Sequence, residues 1–216
     1  MCRFDPDLGY HRSVIEGSIS KSGRRPFTLI LLAGGESRRM KRDKARLSIE
    51  NRPLIQTLLD QIEGFFSEIL ISVSRGQRYD FLSYRHVEDE VEGRGPLAGI
   101  LSGLRAASHE LCVVVACDIP YVDPIFLNRL IDEAGGFEIA VPRSEAGMFE
   151  PLLAVYKKSI IPAIEKILKS PNPQVLSLFD RCRTRFLDFS EITWLRNLNT
   201  PEEYEDYLRS RGPKKA

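Results

Sequence analysis

Two runs of this sequence leave few folds open: Thr28–Ala33 (TLILLA) and Leu111–Ala116 (LCVVVA) are short, β-rich and almost continuously apolar. Neither alternates apolar with polar residues, so each reads as a strand covered on both faces. That condition is met in a mostly parallel sheet with helices packed on either side. The rest of the chain keeps the same rhythm, amphipathic stretches alternating with β-rich runs, which marks an α/β fold.

Pro53 is expected to open a helix in which Leu54, Ile55, Leu58, Leu59, Ile62, Phe65 and Phe66 form one apolar face. Glu68–Ser74 and Arg85–Glu88 read as strands, and Pro96 begins a helix carrying Leu97, Ile100, Leu101 and Leu104 on one side. Asp123-Pro124 reads as an N-cap followed by a first-turn proline. Strands are expected near Phe137–Pro142, Leu152–Tyr156 and Thr184–Phe189, with helices over Ser159–Lys169 and near Gln174–Asp180. The last helix carries a capping box, Thr200-x-x-Glu203, with Pro201 at its first position.

The 216 residues suit one domain, expected over 27–208, between a polar extension (1–26) and a basic tail (209–216). With 31 basic and 30 acidic side chains the net charge is +1, so no global field favours nucleic acid. No apolar run reaches the length of a membrane span, and the N-terminus has no signal-peptide pattern. The four cysteines and three histidines are scattered, without zinc-ligand spacing or a disulfide framework. The expected compartment is the cytoplasm, with no membrane and no nucleic acid as partner.

In an open parallel sheet, ligands bind beyond the carboxyl ends of the strands, and two such ends here carry unusual chemistry. After the first strand, Gly34-Gly35 allow a sharp turn, and Arg38, Arg39, Lys41, Arg42 and Lys44 place five cations within seven positions. That density suits a triphosphate. Neither G-x-x-x-x-G-K-[ST] nor G-x-G-x-x-G is present, which excludes a P-loop and a dinucleotide fingerprint. The second strand end is Cys117-Asp118-Ile119-Pro120, where a rigidly held carboxylate suits Mg2+ arriving with nucleotide phosphates. Asp118 is expected to hold the metal while Lys44 and Arg39 neutralise the reacting phosphorus and the leaving pyrophosphate. An acceptor phosphate would attack the α-phosphorus in line. Glu88-Asp89-Glu90 offers further carboxylates for ribose, base or metal.

The series Leu32-Ala33-Gly34-Gly35-x-Ser37-x-Arg39-Met40, Asp43-Lys44, Arg52-Pro53-Leu54, Glu88-Asp89, Gly95-Pro96-Leu97-Ala98-Gly99, Cys117-Asp118-x-Pro120 and Asn197-x-Asn199-Thr200-Pro201-Glu202-Glu203 resembles the MobA-like nucleotidyltransferase family. The resemblance runs from about Phe27 to Leu208. It implies a Rossmann-like three-layer sandwich and transfer of GMP from GTP to molybdopterin or molybdenum-molybdopterin. It further implies that Leu32, Ala33, Gly34 and Gly35 meet the nucleotide through backbone groups. Lys44 would bind phosphate, Asp89 the nucleoside and Asp118 the Mg2+, while Asn197 and Asn199 would face the acceptor. Cofactor-synthesis or acceptor proteins are the implied further partners. Two positions depart from the family pattern: Lys41 stands where glycine is usual, and Ser74 where asparagine is frequent. The alternatives are the same chemistry with CTP or another NTP and a different phosphorylated acceptor, or a non-catalytic nucleotide-binding adaptor for cofactor delivery. Retention of Lys44 and Asp118 speaks against the adaptor.

Overall fold

The computed structural model describes residues 25–34, 43–144, 147–189 and 195–210. Along the chain these form β1 (Arg25–Leu32), β2 (Ser48–Ile49), β3 (Arg52–Pro53), α1 (Leu54–Ile62), β4 (Phe66–Val73), β5 (Arg85–Glu88) and α2 (Pro96–Ala106). There follow β6 (Leu111–Ala116), α3 (Pro124–Glu133), β7 (Ile139–Ser144), β8 (Leu153–Lys157), α4 (Ile161–Leu168), β9 (Thr184–Phe189) and α5 (Pro201–Ser210). Seven strands make one sheet in the order β5-β4-β1-β6-β8-β7-β9. β8 runs antiparallel to both neighbours, β6 and β7, while the other pairs are parallel. Among the described residues no helix is long and apolar enough to cross a membrane.

The two apolar runs are buried on both faces, as their composition requires. Leu29, Leu31, Val113 and Val115 face one core with Ile55, Leu58 and Leu59 of α1 and Leu127 and Leu130 of α3. Ile30, Leu32, Cys112 and Val114 face the other, with Leu97, Ile100 and Leu101 of α2 and Ile164 and Ile167 of α4. Each such side chain contributes about 1.5–3 kcal/mol on burial, and the alternation fixes the register of the central strands. The sheet thus sits between two helical layers. β6, the run expected to be most strand-like, is the middle strand of the seven.

Several local expectations differ in extent. Arg25 and Pro26, read as part of the extension, belong to β1: Arg25 pairs with Phe66 of β4 across an irregularity, and its guanidinium meets Asp132 at 2.5 Å. The helix opened by Pro53 stops at Ile62, and Glu63–Phe65 tighten into a 3-10 turn at Gly64, a residue that costs a helix backbone entropy. The Gln174–Asp180 segment is a 3-10 turn over Val175–Leu178, whose eclipsed first and last residues are both buried. The β2–β3 hairpin was not foreseen. Its turn uses Glu50 and Asn51 at φ 50° and 64°, a conformation usually announced by glycine.

Candidate active site

β1 and β6 pair in parallel with Leu32 opposite Ala116, so the segments after them leave the same rim of the sheet. The Cys117 N–H donates to the Leu32 carbonyl (3.0 Å), and the N–H groups of Ala33 and Gly34 donate to the Ser72 carbonyl (2.8 and 3.0 Å). Gly34 is glycine because of this close approach: a Cβ there would lie 2.8 Å from the Ser74 backbone nitrogen. The amides at 33 and 34 therefore serve the sheet, and nucleotide contacts from these two residues have to use carbonyl lone pairs. Gly35 and Arg39, with Arg38, Lys41 and Arg42, lie outside the described residues.

The chain re-enters at Asp43, whose carboxylate accepts from the Ala45 N–H (3.0 Å) and caps the 3-10 turn Lys44–Arg46. Tyr79, fully buried, ties the two ends of the cationic segment together. Its hydroxyl lies 3.1 Å from the Ala33 carbonyl and 3.1 Å from Asp43 Oδ1, and accepts from Gln77 Nε2 at 2.6 Å. Burial, with Asp43 adjacent, pushes the Tyr79 phenol up, so it stays a donor. No spacing in the sequence connects Tyr79 to this role.

Lys44 and Asp118, expected to act together, are in contact: Lys44 Nζ lies 3.0 Å from Asp118 Oδ2, and the two side chains are only 18% and 20% exposed. The same ammonium donates to Asn199 Oδ1 at 2.7 Å. Asn199 reaches this place because Leu198, 1% exposed, is packed with Leu47, Ile49, Leu54 and Tyr207 in a third core. The Leu198 N–H donates to the Asp118 carbonyl (2.9 Å). The capping box forms as expected, Glu203 accepting from the Thr200 N–H (3.0 Å) while its own N–H donates to Thr200 Oγ1 (3.2 Å). Three distant parts of the chain thus converge on one ion pair.

Asp89 follows β5 at the same rim, its N–H donating to the Val73 carbonyl (2.9 Å) and its carboxylate accepting from Ser72 Oγ (3.2 Å). α2 crosses close above it at Gly99, where a Cβ would lie 2.7 Å from Ser72 Oγ. Burial raises the Asp89 carboxyl above the ordinary carboxylate range, partly offset by the Ser72 hydrogen bond. Because the folded pKa is raised, ionisation costs the folded state: the penalty is absent below the unfolded pKa and complete above the folded one. Asp89→Asn is therefore expected to raise the melting temperature at neutral pH by roughly 2 °C. The gain should vanish as the pH falls through the carboxylate range, which melts across pH would check. Nucleotide affinity should fall in the same variant.

On the other side of Asp118 lies Glu150, a residue the sequence reading did not single out. β8 is antiparallel to β6 with Leu153 opposite Val115, so its leading turn meets the trailing turn of β6. Glu150 is held by its N–H on the Pro142 carbonyl (3.1 Å) and its carbonyl under the Leu153 N–H (3.0 Å). Burial raises its carboxyl, the neighbouring Asn197 side chain lowers it in part, and the charge of Asp118 raises it again. Asn197 Oδ1 is buried with no hydrogen-bond partner. An unpaired buried carbonyl of this kind costs about 1–3 kcal/mol. A single glutamate before a proline carries no motif, and only the reversed strand brings it to the site.

Asp118 and Asn199 meet at the Lys44 ammonium with hard oxygen donors, which fits a hard divalent ion. Among the described residues no cluster of three or more His, Cys, Asp or Glu side chains could hold a metal.

Residues 29–182 match the model of the MobA-like NTP transferase domain. A probable molybdenum cofactor guanylyltransferase of Methanosarcina mazei is 34% identical, over 88% of this chain and 93% of that protein. One of Carboxydothermus hydrogenoformans is 31% identical, over 85% and 95% respectively. Molybdopterin-guanine dinucleotide biosynthesis protein A of Archaeoglobus fulgidus shares the fold, with a TM-score of 0.71 at 24% identity, covering 85% of this chain and 97% of that one. The match to the family model over residues 29–182, with relatives more than 30% identical over most of their length, places this chain in the MobA-like NTP transferase family.

Proposed function

We propose that the protein transfers GMP from GTP to the terminal phosphate of molybdopterin, in its metal-free or molybdenum form, and releases pyrophosphate. The observation that carries this reading is the meeting of Lys44 and Asp118 on the rim where β1 and β6 end. The names of the relatives supply the base and the acceptor. We place the reaction in the cytoplasm.

In the resting site the Lys44 ammonium is satisfied by Asp118 and Asn199. On nucleotide binding it turns to the triphosphate, which leaves the Asp118 carboxylate and the Asn199 oxygen for the divalent ion. That ion, when bound, supplies neutralisation of phosphate charge. Lys44 then balances negative charge on the phosphates during transfer, and Asp89 holds the nucleoside over β4 and β5. Nucleotidyl transfer needs mainly positioning and charge stabilisation, which these groups provide.

Purified protein given molybdopterin, magnesium and GTP, CTP, ATP or UTP separately should release pyrophosphate fastest with GTP. Preference for CTP would remove the guanylyl assignment. Release of none, together with tight GTP binding, would favour the adaptor.

A further inference from the structure

Lys44 stands in a turn whose two ends are held by the connection between β4 and β5. Before it, Asp43 uses both carboxylate oxygens. Oδ1 accepts from the Ala45 N–H (3.0 Å) and lies 3.1 Å from the Tyr79 hydroxyl, while Oδ2 accepts from Gln77 Nε2 (3.4 Å). After it, the Arg46 guanidinium lies over the rings of Tyr79 and Phe81, 5.3 and 5.5 Å from their centres, and donates to the Arg78 carbonyl (3.0 Å). The Lys44 ammonium is left for Asp118 and Asn199. Residues 77–81 supply no group assigned to the reaction, yet they grip the lysine's turn on both sides.

The proton count singles out Tyr79 within this grip. Gln77 Oε1 accepts from the Ser74 N–H (3.3 Å), which turns Nε2 toward the phenol, and Nε2 donates to the phenolic oxygen at 2.6 Å. That leaves the one phenolic proton facing two acceptors at equal distance, the Ala33 carbonyl and Asp43 Oδ1, both at 3.1 Å. The two acceptors differ in how they are anchored. Ala33 is buried and its N–H donates to the Ser72 carbonyl at 2.8 Å, so it moves with the sheet. Asp43 lies outside the sheet, and its carboxylate is held by Tyr79, Gln77, Arg46 and the turn it caps.

We infer that Tyr79 is a positioning residue for Lys44: its hydroxyl bridges the anchored end of β1 to Asp43 and so sets where the Lys44 turn stands on the nucleotide rim. The inference rests on the transfer reaction proposed above. Phenylalanine at position 79 keeps the ring beneath Arg46 and removes only the bridge. Because Tyr79 acts through Lys44, loss of the bridge costs less than loss of the ammonium.

The test is steady-state kinetics of the full chain with GTP and molybdopterin for wild type, Tyr79→Phe, Lys44→Ala and the double variant, with calorimetric titration of guanosine. Tyr79→Phe should lower kcat/KM for GTP about ten-fold, since a misplaced charge is a weaker one. Affinity for guanosine, which has no phosphate for Lys44 to meet, should stay within about two-fold. In the Lys44→Ala background the same substitution should cost less than about two-fold, because the two residues act as one unit. A phenol that serves packing alone would lower the melting temperature and leave kcat/KM of the folded protein unchanged, which overturns the inference. An equal fall in guanosine affinity, or losses that multiply in the double variant, would overturn it as well. If wild type prefers another nucleoside triphosphate, guanine falls as the base. The same four proteins assayed with that triphosphate and its nucleoside then decide the role of Tyr79.

Discussion

Replacing Asp118 by alanine is expected to lower pyrophosphate release by about a thousand-fold, while the protein stays folded. The loss follows from position. Asp118 stands two residues beyond the central strand, its carbonyl is fixed by the Leu198 N–H, and its side chain is only 20% exposed. A carboxylate held this way has little entropy to lose when it takes a ligand. The fold should tolerate the change because the structural share of the residue lies in its backbone. Lys44 keeps Asn199 as a partner when the carboxylate is gone. The variant carries a second signature. In chelator the Lys44 ammonium no longer has to leave a carboxylate, so GTP binding without metal should equal or exceed that of wild type. Calorimetric titration with GTP in EDTA, beside turnover in magnesium, checks both halves. Turnover within ten-fold of wild type would remove Asp118 from the mechanism.

How much of this could be read from the sequence depends on how local each feature is. The doubly covered strands were legible because an unbroken apolar run has one common solution, and β6 proved to be the middle strand. Caps at Asp123 and Thr200 were legible because a cap is a contract between residues two or three apart. Lys44 and Asp118 could be brought together on paper since parallel strands share a rim, although 74 positions separate them. What stayed hidden were contacts fixed by topology alone. Nothing near Glu150 announces that β8 runs backwards, and it is this reversal that carries the residue to Asp118. Tyr79 likewise reads as an ordinary aromatic until the fold sets its hydroxyl between Ala33 and Asp43. Gly34 was legible as a turn glycine, but the close approach of the end of β4 that its bare Cα admits was not.

The second large effect concerns Lys44. Lys44→Ala is expected to lose about a hundred-fold in turnover, since it removes one preorganised positive charge from a site where negative charge accumulates. Loss of rate alone would not separate this role from a structural one, because the ammonium also holds the ion pair with Asp118 and the bond to Asn199. Metal binding separates them. In the resting protein the ammonium occupies the carboxylate that a divalent ion would use, at 3.0 Å. Removing it leaves a largely buried carboxylate uncompensated, which destabilises the fold but raises affinity for a cation. Lys44→Ala should therefore melt lower than wild type in chelator, regain much of that loss in millimolar magnesium, and bind manganese more tightly than wild type when nucleotide is absent. Manganese binding is followed directly by electron paramagnetic resonance. If the variant bound manganese no better than wild type, Lys44 and the metal would not share Asp118, and the exchange of partners proposed for the catalytic cycle would fail.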